Sequence, residues 1–310
     1  MSKQDDLLEG EMSEVSEPAD IYAAVEETAQ LLDVPCSRDK VQPALAAFGD
    51  GLADGHIVFS MATGERYKGE LAFDFTVPTA AGDPYAIALS NGLVEETDHP
   101  IRTLFSDVRG RCPVDSYGVD YGIVGGFKKT YVSFPLGELQ GLSRLTGIPS
   151  MPRALAEHAG FFASHGLDDR VSAIAIDYAH RTWNVYFSGL PAEFIEPETV
   201  LSVLRTFGLP EPSERMMEFI RTSFAMYTTF GWDSSKAERI CFSARSSDPT
   251  ALPARYEPQI AKFARNAPYT YTGERVLTYA GALSPSEEFY KLASFYQKTS
   301  KLSDRVRPAT

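Results

Sequence analysis

Three cations stand on strand-like segments among tyrosines and hydroxyls: Lys129 in GGFKKTYVSFP, Arg239 in AERICFS and Lys291 in YKLASFYQ. Neighbouring side chains on a strand point to opposite faces, so each segment divides in two. In the first, Phe127, Lys129, Tyr131 and Ser133 oppose Lys128, Thr130, Val132 and Phe134. In the second, Arg239, Cys241 and Ser243 oppose Glu238, Ile240 and Phe242. In the third, Lys291, Ala293, Phe295 and Gln297 oppose Tyr290, Leu292, Ser294 and Tyr296. By the same rule Thr182, Asn184, Tyr186 and Ser188 share a face, as do Ala225, Tyr227 and Thr229.

From Lys129 to Gln297 no acid is expected on these polar faces. Yet the chain carries 42 Asp and Glu against 29 Lys and Arg, a net charge of -13, so a solvated face should hold acids freely. A helix-covered sheet with one wet face and a closed ligand chamber are both open at this point; the missing acids favour the chamber. Charged donors hydrogen-bond strongly to anionic oxygens, so clustered Lys, Arg, Tyr and Asn suit a diphosphate. Tyrosine faces suit a carbocation held away from water.

Other chemistries recede. The chain has no P-loop, no G-x-G-x-x-G after a strand and no DDxxD cluster. His56, His99, His158, His165 and His180 lack metal-ligand spacing. Cys36, Cys112 and Cys241 are too scattered for a zinc site or a disulfide framework, which fits a reducing cytoplasm. The acidic balance argues against a nucleic-acid partner and an anionic membrane surface. No apolar run approaches the ~20 residues that span a bilayer. The acidic start has no apolar signal region and reads as a tail. A soluble, cytoplasmic monomer is expected.

The elements that must position the cations follow from periodicity. Helical spacing predicts helices over 21–34, 39–52, 83–93, 99–110, 152–164, 198–207 and 259–264, with a short one from Ser213. Strands are predicted in five pairs, with tips near Arg66, Ile123, His180, Ser235 and Leu283. A helix–strand–strand–helix unit thus recurs, without a linker. The expected fold is α+β: a ten-stranded antiparallel barrel with a polar lumen, ringed by helices, because closure removes exposed edges. Residues 1–18 are expected as a disordered acidic tail, 19–300 as a single domain and 301–310 as a C-terminal tail.

GGFKKTY, IPSMP, WNVYFSG, the Y-x-T-x-x-W of Tyr227 to Trp232, SDPTALP and SPSEEFYKL occur in this order. Together they resemble the soluble bacterial aromatic prenyltransferases of the ABBA class, in particular those acting on polyhydroxynaphthalenes, naphthoquinones and phenazines. The resemblance runs from about Ile21 to Gln297 and implies the same ten-stranded barrel. It implies a diphosphate site at Lys129, Asn184, Tyr227, Arg239 and Lys291, with Ser60 nearby. It places Tyr131 and Tyr186 beside the prenyl chain, and Val58, Ser172, Phe224, Ala225, Ser243, Ala293 and Phe295 in the acceptor pocket.

The implied reaction transfers a geranyl or dimethylallyl group from its diphosphate to a carbon of an electron-rich aromatic ring. Three positions depart from the family pattern: Ala72 replaces a magnesium-binding aspartate, Phe295 a tyrosine and Ala293 a glycine. Turnover without magnesium, and with no other cofactor, is therefore expected. Asp74, one strand repeat from Ala72, is expected to face the acceptor and orient a hydroxyl, while Arg66 and Lys68 are candidates to replace the metal's charge. A non-catalytic small-molecule carrier on the same barrel is the alternative from another class; an indole or tyrosine prenyltransferase is the enzymatic one.

Overall fold

The computed structural model describes residues 16–298. Chain order begins with α1 (Pro18–Leu31), α2 (Arg38–Leu52), β1 (Ile57–Ala62), β2 (Ala72–Pro78), α3 (Pro84–Ser90) and α4 (Ile101–Arg111). It continues with β3 (Ser116–Gly122), β4 (Gly126–Ser133), α5 (Leu142–Thr146), α6 (Arg153–Ser164), β5 (Val171–Asp177) and β6 (Thr182–Ser188). It ends with α7 (Pro197–Thr206), α8 (Glu214–Ile220), β7 (Ala225–Gly231), β8 (Ala237–Ser246), α9 (Pro258–Asn266), β9 (Leu277–Leu283) and β10 (Glu288–Gln297).

All five expected strand pairs form, and each strand pairs antiparallel with its sequence neighbour. β1 also pairs with β10, which closes the barrel. One end of the barrel is therefore made by the five strand-to-strand turns, and the other by the strand ends that lead to helices. These are called here the hairpin end and the crossover end. Only α5 lacks a counterpart in the sequence expectation; its one turn is too short to show a period.

Period-2 alternation shows directly in burial. β1 alternates buried and half-buried, with Ile57, Phe59 and Met61 under the helices. Helix starts follow local chemistry: Asp83 accepts hydrogen bonds from the backbone N–H groups of Tyr85 and Ala86 at α3, and Ser213 from that of Met216 at α8. The main core lies between barrel and helices, around Trp183, Phe59, Phe73, Phe162, Phe187, Phe230 and Phe242. A second, smaller cluster of Tyr227, Cys241, Ala280, Ala282 and Phe289 lies inside the barrel.

One boundary shifts. Ser16 N donates to Gln297 Oε1 and Pro18 opens α1, so the expected tail gives way to structure before residue 18. The rest of the expected tails lies outside the described residues. No helix among the described residues is long and apolar enough to cross a membrane.

Candidate active site in the barrel lumen

The strand register brings the sequence-predicted cations towards the hairpin end. Arg239 on β8 lies opposite Thr229, and Lys291 on β10 opposite Ala62 and Ala280. Arg239 is only 4% exposed. Its Nη2 donates to Thr229 Oγ1 at 3.1 Å and its Nη1 to the Tyr67 hydroxyl at 3.0 Å. Lys291 Nζ donates to the Tyr227 hydroxyl at 2.9 Å and lies within 5.3–5.6 Å of the ring centres of Tyr67, Tyr227 and Phe289. Burial, and then the nearby Arg239, pull Lys291 down to about 7. An arriving anion reverses that cause, because it supplies the counter-charge that the site lacks.

Tyr67 was not foreseen. It lies on the β1–β2 connection, where strand alternation gives no signal, yet its hydroxyl reaches Arg239 and its ring packs 5.2 Å from Phe289.

Tyrosine rings line the wall beside the cations. Tyr186 lies 4.6 Å from Tyr227 and 6.0 Å from Tyr131, centre to centre, and Asn184 Nδ2 donates to the Tyr186 hydroxyl at 3.1 Å. Burial raises the pKa of Tyr131, Tyr186 and Tyr227, so all three remain neutral phenols around neutral pH. Their faces offer quadrupole stabilisation to a cation, and their hydroxyls offer donors to an anion.

The adjacent lysines of β4 do not split as alternation predicts. Asp120 pairs with Lys129 but Tyr121 pairs with Phe127, so Lys128 is an extra residue in a β-bulge. A bulge resets the alternation behind it. Phe127 consequently joins the outer core beside Tyr178, rather than the lumen. Lys128 turns to the lumen side at the hairpin end: a Cβ added at Gly122, the register partner of Ala72, would lie 2.5 Å from Lys128 Cε. Its Nζ is 3.5 Å from Glu70 Oε2, and Glu70 also accepts from Val124 N and Gly125 N. Gly126, at φ 77, supplies the left-handed residue that the β3–β4 turn needs. Arg66 and Lys68 are exposed, whereas Lys128 reaches Gly122, the register partner of Ala72.

Two further face assignments are corrected. Gln297 leaves the lumen because a register shift between Ile57 and Val58 turns it outward, where its Nε2 donates to the carbonyls of Leu52 and Gly55. The lumen also holds more acid than expected. Asp120 faces Lys129, with Nζ to Oδ2 at 3.9 Å. Asp177, the partner of Lys129 on β5, accepts from His180 N at the β5–β6 turn. The strand of Asp120, SYGVDYG, does alternate, with Ser116, Gly118 and Asp120 opposite Tyr117, Val119 and Tyr121, but it precedes Lys129, where the acid-free polar faces of the sequence reading begin.

The remaining candidates gather towards the crossover end. Val58 pairs with Phe295 and Ser60 with Ala293, and Ser60 Oγ donates to Asp74 Oδ2 at 2.6 Å. Ser188 Oγ donates to Ser172 Oγ at 2.9 Å, and Ala225 lies opposite Ser188 and Ser243. The Arg245 guanidinium stands 4.8 Å from the ring centre of Phe224. One end of the lumen is thus rich in buried cations, and the other in small, hydroxyl and aromatic side chains. Among the described residues no group of three or more His, Cys, Asp or Glu could hold a metal ion.

Relatives with known activities share this chain nearly end to end. It is 49% identical to a flaviolin linalyltransferase of Streptomyces virginiae, over 92% of this chain and 94% of the relative. It is 46% identical to a furaquinocin biosynthesis prenyltransferase of Streptomyces sp. (strain KO-3988), over 90% of each. It is 41% identical to a 5,10-dihydrophenazine-1-carboxylate 9-dimethylallyltransferase of Streptomyces anulatus, over 94% of this chain and 97% of the relative. These relatives are transferases, which sets the carrier alternative aside. The model of the family described as aromatic prenyltransferase Orf2 matches residues 17–306. With a closed barrel, a cationic lumen and these relatives, the chain belongs to the aromatic prenyltransferase Orf2 family.

Proposed function

We propose that this enzyme transfers a geranyl or dimethylallyl group from its diphosphate to a ring carbon of a polyhydroxynaphthalene, naphthoquinone or phenazine. The observation that carries the reading is the pair of buried cations, Arg239 and Lys291, partnered only by neutral hydroxyls in the contacts described above. The names of the relatives support both the C10 and C5 donors and the bicyclic and tricyclic acceptors.

In this reading Arg239, Lys291, Lys129, Tyr227 and Asn184 hold the diphosphate and stabilise the negative charge that grows on it as the C–O bond breaks. Tyr131, Tyr186 and Tyr227 flank the allylic cation. The acceptor ring lies towards Val58, Ala293, Phe295, Ser172, Phe224, Ala225 and Ser243. Its held orientation selects the attacking carbon. Ser60, in register with Ala72 and bonded to Asp74, stands between the diphosphate and the acceptor in this reading.

Magnesium is not required in this reading. Ala72 cannot ligate a metal, and Lys128, paired with Glu70, stands at the same end of the lumen. A mass-spectrometric screen of two donors against a panel of hydroxynaphthalenes, naphthoquinones and phenazines tests the proposal. C-prenylated product in excess EDTA supports it. Product that appears only when magnesium is restored overturns the metal-free reading, and no product with any pair overturns the substrate class.

A further inference from the structure

Two carboxyl groups stand in the lumen where diphosphate binding has no use for them. Asp74 on β2 and Asp120 on β3 are register partners. Such partners leave adjacent strands on one face, with Cβ atoms about 4.5–5.5 Å apart. One oxygen of each is engaged: Asp74 Oδ2 accepts from Ser60, and Asp120 Oδ2 faces Lys129. The others, Asp74 Oδ1 and Asp120 Oδ1, are shut off from solvent without a hydrogen-bond partner among the described residues.

Their place in the wall gives the pair a direction. Asp120 lies beside Lys129, on the side of the cations. Asp74 lies beside Val58, and Val58 beside Phe295, on the side of the acceptor pocket. The charged groups facing Asp74 are Asp120, Lys128 and Lys129, and Tyr131 adjoins both acids. Burial, and then Asp120, push the pKa of Asp74 well above the ordinary carboxyl range. A buried carboxyl group beside a second acid is harder to ionise, and so holds a proton more readily.

We propose that the Asp74–Asp120 pair is the proton acceptor of the prenyl transfer, with Asp74 facing the ring. This rests on the prenyl-transfer reading above. The new C–C bond forms as the allylic C–O bond breaks, and the attacked carbon still carries its hydrogen. That C–H bond then breaks, its electrons restore the aromatic ring, and the proton passes to the pair, which goes from monoanion to neutral. The proton leaves to water when product departs. Lys129 links the two halves of the reaction. As it turns to the departing diphosphate it withdraws charge from Asp120, and the pair becomes more basic when the proton must be taken.

The test uses a dihydroxynaphthalene carrying deuterium on its ring carbons, with an allylic diphosphate as donor. In the wild type, proton removal is fast and no primary isotope effect on turnover is expected. Asp74→Asn should slow turnover about 10²-fold and make the isotope effect appear, with Asp74→Glu restoring part of the rate. A folded Asp74→Asn variant that shows no isotope effect overturns the proposal, whatever its rate. If circular dichroism shows that variant unfolded, the wild type decides: the isotope effect should emerge as pH falls and the pair takes its second proton. Its absence there overturns the proposal equally. A wild type that forms no C-prenylated product is a different failure, that of the prenyl-transfer reading itself.

Discussion

On the β7–β10 wall, Arg239 and Lys291 are held by hydroxyls of Thr229, Tyr67 and Tyr227, whereas on the β3–β4 wall Lys129 stands 3.9 Å from the Asp120 carboxylate. The first pair carries buried positive charge without a formal counter-ion in those contacts. A dianionic or trianionic group entering there gains charge-assisted bonds and displaces only neutral partners. Lys129 must be drawn from an existing ion pair. The two walls therefore divide the work: one is a fixed receptor for the diphosphate, and the other answers its arrival by releasing charge on the acid pair.

The comparison breaks most plainly at Arg239. Arg239→Ala should lower turnover about 10²- to 10³-fold, the usual cost of losing a donor aimed at growing negative charge. Melting temperature should change little, since this guanidinium is not part of the packed core. Near-normal steady-state turnover would remove Arg239 from the diphosphate site. Lys129→Ala should cost at least about tenfold for the same reason. An effect as large as that of Arg239→Ala would show that the Asp120 ion pair does not temper this lysine.

Asp120→Asn sharpens the contrast in the opposite direction. It frees Lys129 from a partly buried ion pair, so binding of an unreactive thiolo analogue of the donor should tighten about threefold. Unchanged affinity by calorimetry would mean that Lys129 does not exchange partners. The smallest effect is expected at the acceptor end. Ala293, in register with Ser60, leaves room that a phenylalanine would fill. Ala293→Phe should penalise tricyclic acceptors a few-fold more than naphthalene diols, with overpacking as the cause. Competition assays with both acceptors would read the change in ranking.

Much of this was legible in the sequence because period-2 alternation exposes the lumen face strand by strand. Asn184, Tyr186, Tyr227, Arg239 and Lys291 could be assigned that way, and closure followed from ten strands with helices outside. The losses have physical reasons. FKKTY alternates plausibly in either register, so only the pairing of Tyr121 with Phe127 reveals the bulge that brings Lys128 inward. Gln297 is moved by a similar register shift against β1. Tyr67 belongs to a connection whose place over Arg239 depends on packing against Phe289, a through-space fact with no sequence period. Asp120 became visible only when β3 was set between Asp74 and Lys129.

Lys291 offers the most direct measurement of the central claim that the diphosphate docks on the β7–β10 wall. A lysine brought down to about 7 is mostly neutral above that pH and becomes an ammonium when an anion binds beside it. Binding should therefore take up protons above pH 7 and weaken as pH rises. Calorimetric titration of the thiolo analogue at about pH 8, in two buffers of different ionisation enthalpy, reads this uptake. The expected result is uptake approaching about one proton per analogue bound in the wild type, and none in Lys291→Arg, whose guanidinium stays charged throughout. Tight binding to the wild type with no proton uptake would contradict the account, because the diphosphate would then lie away from Lys291.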